Sequence, residues 1–345
     1  MRKDLTGRAS NGTLVLILKK EEAGKYTKAQ KAAMHFSASS FGSVNQFEIG
    51  RWKNFMKPPR FQYCAPRILD DALLLLEQEG TETKILAGGQ SLVPLLNMRL
   101  AAPTHLMDIN RIAELNYIQP EEGYLAIGAT VRQCQVERSL LIQEKHPLLI
   151  ETIWHIGHMQ IRNRGTVVGS LAHADPAAEL PTLLSCLDGT LLLQNSTGER
   201  LLSTDAFFLG YLETALEPGE MVVEARFPWV DPRAGWAFLE FARRSGDFAL
   251  VGASAVLTPA EDGSCQVARI AYAGVAGAPV RAREVEQVLE GNALNEQTLN
   301  RAAEVARAVV SADMNDIHAT VEYRRVLTAE LTRRVLQAAW ARCRV

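Results

Sequence analysis

Two short segments gather the residue types that hold an anionic ligand. The first is Leu86-Ala87-Gly88-Gly89-Gln90-Ser91-Leu92-Val93-Pro94. Two adjacent glycines remove Cβ atoms, so backbone N–H groups can approach a ligand closely. Consecutive N–H groups ahead of a helix favour a phosphate, and Ser91 adds a hydroxyl donor. The run is neither G-x-G-x-x-G nor a P-loop, because no Gly-Lys-Ser/Thr occurs in it. Taken alone it reads equally well as a plain tight turn.

The second segment runs from Ile161 to Pro181 and contains Arg162-Asn163-Arg164-Gly165-Thr166-Val167-Val168-Gly169-Ser170. Small and hydroxyl-bearing residues again crowd a point where backbone must approach something closely. Asp175 precedes Pro176 and reads as the cap of a helix reaching Leu187.

Other reactive types form no such group. His155 and His158 flank Gly157 at a spacing that could suit a metal, but no carboxylate or Cys cluster accompanies them. The five Cys stand at 64, 134, 186, 265 and 343 without a C-x-x-C pair, which argues against a zinc ribbon or a locally ligated iron–sulfur cluster. Dispersed free thiols suit a reducing cytoplasm. No catalytic residue and no metal ligand is assigned.

These segments need elements to hold them. Pro66 to Glu79 reads as a helix, Lys84 to Ala87 as a strand, and a short helix through Leu100 follows the first loop. Thr104 to Ile109 is a further strand. Tyr117–Gln119 and Tyr124–Gly128 form a hairpin, and Thr130 can cap a helix running to about Glu144. Leu191–Gln194 pairs with Arg200–Ser203, and Met221–Phe227 alternates as a strand. After a break at Val230 to Gly235 come strands near 236–243, 249–257 and 267–275, then helices near 281–290, 295–310 and 318–341.

The chain has 345 residues, 47 % apolar and 22 % charged, which is ordinary globular composition for roughly two or three domains. Its net charge of −2 gives no bulk attraction to nucleic acid or anionic membrane. No apolar run approaches the length of a membrane span, and no signal peptide stands at the start. Residues 1–55 carry ten Lys and Arg against four Asp and Glu and lack periodicity. They read as a disordered extension, ahead of domains at 56–232 and 233–345.

The segments A-G-G-Q-S-L-V-P (87–94) and R-N-R-G-T-x-x-G-S-L-A-H-A-D-P-A-A-E-L-P (162–181), in this order, resemble the FAD-binding subunits of molybdenum hydroxylases. That family includes the medium subunits of aerobic carbon monoxide dehydrogenases and the flavin subunits of xanthine dehydrogenases. The resemblance covers roughly Met56 to Arg342, and Arg243-Arg244-Ser245-Gly246-Asp247-Phe248-Ala249 agrees with it. It implies an α+β fold: a two-subdomain FAD-binding domain, then a C-terminal α+β domain with an antiparallel sheet and helices.

By that resemblance Leu86 to Val93 and Thr166 to Ser170, with Val167, Val168 and Gly169 between, cradle the FAD pyrophosphate. Ile156 and Gly157 line the cofactor, Asp175 belongs to the same loop, and Glu179 reaches the flavin nucleotide. Val222 and Leu239 pack on its rings. Ile156, Val222 and Leu239 read equally as plain core, Glu179 as a solvated helix residue, and Arg243-Arg244 as a surface pair. His173 is tempting as a base or covalent anchor, but the family's flavin is not covalently held. Two departures stand out: Met159 replaces a frequent Pro, and Val168-Gly169 replaces two glycines. A β-branched residue disfavours φ > 0, so a loop needing that conformation at 168 would be strained and its FAD affinity reduced.

The function implied is an electron-transfer subunit. It would take electrons from clusters on an iron–sulfur small subunit, beside a molybdopterin large subunit, and pass them through FAD to an external acceptor. A dimer of heterotrimers fits the same family. A self-sufficient FAD oxidoreductase would need a substrate base, and none stands out. A scaffold subunit that has lost FAD is motivated only by Val168.

Overall fold

The computed structural model describes residues 57–344, and the expected N-terminal extension lies outside them. The described chain falls into two compact units. One holds 57–60 and 93–102, and the other holds 61–92 and 103–344.

The larger unit starts with β1 (Gln62–Cys64), α1 (Leu69–Glu79) and β2 (Thr83–Leu86). Helix α2 (Leu92–Asn97) passes between the units in sequence, and β3 (His105–Asp108) follows. Strands β1, β3 and β2 make a three-stranded parallel sheet in that order. Helix α1 begins at Leu69, three residues later than Pro66, and buries Ala72, Leu73 and Leu76 at helical spacing.

Next come β4 (Ile118–Glu121), β5 (Tyr124–Gly128), α3 (Gln133–Arg138), α4 (Leu140–Lys145), α5 (Pro147–His155), α6 (Met159–Arg162), α7 (Val167–His173) and α8 (Glu179–Cys186). The single helix expected after Thr130 is two. Ser139 ends α3 and caps α4, its hydroxyl accepting from the Ile142 N–H at 3.4 Å. The Thr130 hydroxyl caps nothing and is buried without a partner among the described residues.

Strands β6 (Thr190–Asn195) and β7 (Gly198–Ser203), helix α9 (Thr204–Phe207), the short pair β8 (Phe208–Gly210) and β9 (Glu213–Thr214), and β10 (Met221–Pro228) complete the first half. Its antiparallel sheet runs β4-β5-β10-β6-β7. A large core joins it to the helices through residues such as Leu125, Ile127, Ile153, Val168, Leu183 and Phe227.

The second half is β11 (Gly235–Ala242), β12 (Ala249–Pro259), β13 (Cys265–Ala273), β14 (Val280–Arg281), α10 (Arg283–Leu289), α11 (Glu296–Ala306) and α12 (Val321–Trp340). The four strands form an antiparallel sheet in sequence order. All eleven residues of β12 are buried, as a central strand covered on both faces requires. Thr320 caps α12, accepting from Tyr323 N–H at 3.2 Å, a contact worth about 1 kcal/mol. The buried Arg324 guanidinium donates to the carbonyls of Leu250, Gly274 and Met314 and pairs with Asp316, tying α12 to two strand ends.

Candidate cofactor-binding site

Strand β2 delivers the first loop. Leu86 ends the strand, its carbonyl accepting from Ile109 N–H at 3.1 Å. The Asn110 side-chain amide donates to the Ala87 carbonyl at 2.9 Å and to Asp108 Oδ1 at 2.6 Å. Asp108 also accepts from Asn110 N–H at 2.9 Å and from the Tyr63 hydroxyl at 2.7 Å. Burial pushes the Asp108 carboxyl up, but these hydrogen bonds outweigh it and hold the group below the usual carboxylate range.

Gly88 is needed for a neighbour rather than for its own backbone angles. A Cβ there would lie 2.7 Å from the Arg164 carbonyl oxygen, 2.8 Å from Gly165 Cα and 2.9 Å from Thr166 N. The two loops therefore meet backbone against backbone. Gly89 differs, with φ +74°, a left-handed conformation that favours glycine. Gln90 Nε2 donates to the Gly88 carbonyl at 3.3 Å. Ser91 closes the loop, Leu92 opens α2, and Val93 belongs to the smaller unit.

The second loop is clipped from beneath by residues 131–133. Val167 N–H donates to Val131 O at 3.1 Å and Gln133 N–H to Gly165 O at 2.9 Å, an isolated antiparallel bridge centred on Arg132 and Thr166. Thr166 caps α7, its hydroxyl accepting from Gly169 N–H at 3.1 Å. A Cβ at Gly169 would come within 2.4 Å of that hydroxyl oxygen and 3.9 Å of Ala87 Cβ. Ser170 is half-buried on the same helix.

The strain expected at Val168 is absent. Val168 is the second residue of α7, has no positive φ, and is 3 % exposed in the large core. Its side chain fills the core instead of facing the first loop, so a β-branched residue costs little there.

The two loops hold backbone N–H groups with no hydrogen-bond partner among the described residues, those of Gly88, Gly89, Gln90, Ser91, Thr166 and Val168 included. Thr166 and Val168 are buried, where backbone donors are nearly always paired, while Gly88, Gly89 and Ser91 are half-buried and Gln90 is exposed. A concentration of free donors at two touching loops fits a multiply charged anion such as a pyrophosphate.

A third group of residues comes together in space from α5, α8 and β11. Ile156 ends α5, and its carbonyl accepts from Arg162 Nη1 at 3.1 Å. Gly157 has φ +46°. A Cβ on Gly246 would lie 2.6 Å from the His158 ring and 3.2 Å from the Gly157 carbonyl, so the 243–248 segment packs on this turn. A cavity of about 420 Å³ opens beside it, lined among others by Trp154, His155, Glu240 and Arg244.

Glu179, the first residue of α8, is buried. Burial, and then the neighbouring Glu240 carboxylate, push its carboxyl up to about 8. Glu179 is therefore not a solvated helix residue. Glu240 has a 7 % exposed side chain; its Oε1 lies 3.4 Å from His155 Nδ1, and its Oε2 has no partner among the described residues. Asp175 does not cap α8, whose N-cap is Ala178; its Oδ1 closes a local turn by accepting from Ala177 N–H at 2.9 Å. Burial raises the Asp175 carboxyl and lowers the nearby His173.

Two expected residues are not drawn to the loops. Val222 sits on β10 within the large core, and Leu239 on β11 packs against the second core. Sequence reasoning overlooked Asn110, Arg132, His155 as a partner of Glu240, and Glu240 itself. Their roles come from contacts between segments distant in sequence, for which no local spacing exists. Among the described residues no cluster of metal-ligating side chains occurs, and no helix is long and apolar enough to cross a membrane.

Comparison with known proteins gives this geometry a family. Residues 59–230 match the model of the FAD binding domain in molybdopterin dehydrogenase, and 236–339 that of the CO dehydrogenase flavoprotein C-terminal domain. The chain is 40 % identical to the 6-hydroxypseudooxynicotine dehydrogenase complex subunit alpha of Paenarthrobacter nicotinovorans, over 84 % of this chain and 97 % of that one. It is 36 % identical to the carbon monoxide dehydrogenase medium chain of Hydrogenophaga pseudoflava, over 84 % of this chain and all of that protein. The solved structure of carbon monoxide dehydrogenase from Hydrogenophaga pseudoflava superposes with a TM-score of 0.81 at 38 % identity, covering 84 % of this chain and 100 % of that one. Quinoline 2-oxidoreductase from Pseudomonas putida 86 gives 0.79 at 37 %, covering 83 % and 99 %. The fold is thus that of a flavoprotein subunit of an oxidoreductase. The chain belongs to the family of FAD-binding medium subunits of molybdenum hydroxylases, and its cofactor is FAD.

Proposed function

We propose that this chain passes electrons from the iron–sulfur small subunit of a molybdenum hydroxylase complex to an external acceptor, beside a molybdopterin large subunit. The observation that carries the reading is the pair of touching loops with their unpartnered backbone N–H groups. The names of its relatives, each a subunit of a multi-subunit dehydrogenase or hydroxylase, support it.

When bound, FAD supplies reversible electron transfer, and the protein supplies position and electrostatics. Leu86 to Leu92 and Thr166 to Ser170 would hold the pyrophosphate, their free N–H groups donating to its oxygens. Ile156, Gly157, Asp175, Val222 and Leu239 are proposed to line the nucleotide and rings. Glu179, protonated at neutral pH, can donate a hydrogen bond where an ionised carboxylate could only accept. The same proposal includes two domains at 56–232 and 233–345, a cytoplasmic setting and a heterotrimer that pairs into a dimer of heterotrimers; the separate family matches over 59–230 and 236–339 favour the two-part division. The strain that motivated a scaffold without flavin is missing, since Val168 is helical.

Co-expression with candidate iron–sulfur and molybdopterin subunits tests the reading. Size-exclusion chromatography in moderate salt should yield one complex, with flavin released by acid into the supernatant. A chain that elutes alone while the other two stay together would overturn the subunit assignment. A flavin retained in the acid pellet would overturn non-covalent binding.

A further inference from the structure

Arg132 occupies the junction of the two loops. Its backbone is fixed twice over: it N-caps α3, where its N–H donates to Gln135 Oε1 at 2.7 Å, and it forms the bridge opposite Thr166. Its side chain then reaches both ways. Nη2 donates to Asn110 Oδ1, and Nη1 donates to the Arg164 carbonyl. Asn110 in turn holds the Ala87 carbonyl at 2.9 Å through its amide nitrogen. The Arg164 carbonyl is the same atom that leaves no room for a Cβ on Gly88.

One guanidinium thus links the first loop, through Asn110, to the second loop directly. Both acceptors are uncharged, and the nearby anion is Asp108, whose Oδ1 accepts from the same Asn110 amide at 2.6 Å. Burial, and then the neighbouring Arg164, lower the pKa of this guanidinium, while Cys134 and the Asp108 carboxylate act the other way. The planar fork matters because two donors of fixed geometry set a distance, which an ammonium on a flexible stem cannot do.

We propose that Arg132 is a positioning residue that, with Asn110, sets the spacing of the two loops for the pyrophosphate diester of FAD. This rests on the FAD reading of the loops. The affinity for the pyrophosphate then depends on the fork, beyond the charge.

The test uses the full chain, depleted of flavin, with FAD and ADP affinities measured by fluorescence quenching and competition. The variants are Arg132→Lys, which keeps the charge and loses the fork, Asn110→Ala, which breaks the first-loop arm, and the two combined. Each single change should weaken FAD and ADP together by about 10-fold or more, the size of a lost charge-assisted hydrogen bond. The double variant should be little weaker than the weaker single, because both remove one brace. Melting of the flavin-depleted proteins identifies any variant that fails to fold, and Asn110→Ala carries the test if Arg132→Lys does. Wild-type affinity in Arg132→Lys, or additive losses in the double variant, would overturn the brace. No FAD or ADP binding by the wild-type chain would instead remove the reading on which it rests.

Discussion

The Arg164 carbonyl oxygen stands where a side chain on Gly88 would begin, only 2.7 Å from an added Cβ. The Gly88 backbone follows β2 directly, and the Arg164 carbonyl lies on backbone held by the 131–133 clip. Neither can yield cheaply.

Gly88→Ala should therefore force the loops apart and cost about 1–3 kcal/mol, the usual price of overpacking a fixed site. Gly89→Val should act differently, through its φ of +74°, at about 1–3 kcal/mol of local strain. Both should purify with much less flavin, read as the ratio of flavin to protein absorbance. Full flavin occupancy in Gly88→Ala would contradict the backbone-to-backbone packing.

Val168→Gly should destabilise the chain without tightening FAD. It removes a buried side chain worth about 1.5–3 kcal/mol and places glycine inside a helix at about 1 kcal/mol more. Denaturant unfolding of the flavin-depleted protein measures the loss. A gain in FAD affinity would show that Val168 does constrain the loop.

Glu179 predicts an unusual dependence on pH. Its folded carboxyl titrates at about 8 against 4.5 for the free group, so the folded state holds a proton that the unfolded chain has released. The resulting stability is fully present below about pH 4.5 and is lost as pH rises towards about 8, at no more than about 1.4 kcal/mol per pH unit. Glu179→Gln should flatten this slope in urea titrations of the flavin-depleted protein. An unchanged slope would assign the dependence to other groups.

Deleting residues 1–55 should leave folding and flavin content intact, since the family match begins at residue 59 and these residues lack an apolar periodicity. Aggregation of the truncated chain, or its purification without flavin, would count against this.

Much of the site is readable along the chain because its parts are local. The Gly88-Gly89 turn after an apolar strand and the strand pattern of Met221 to Phe227 follow from backbone preferences within a few residues. Local rules also misled where a partner in space decided the outcome. Val168 looked like a strained loop residue until α7 turned it into the core, and Asp175 looked like a cap until its carboxylate closed a shorter turn. Glu179 became a raised-pKa carboxyl because folding buries it and then places the Glu240 carboxylate beside it. The Arg132–Asn110 link spans 22 residues, and the Arg132–Arg164 link 32. Residue types and spacing marked two loops that could approach a phosphate, and the resemblance of their motifs to a flavoprotein family implied FAD. Only the tertiary structure decided which side chains hold those loops together, because hydrogen bonds and desolvation depend on neighbours that the linear order does not contain.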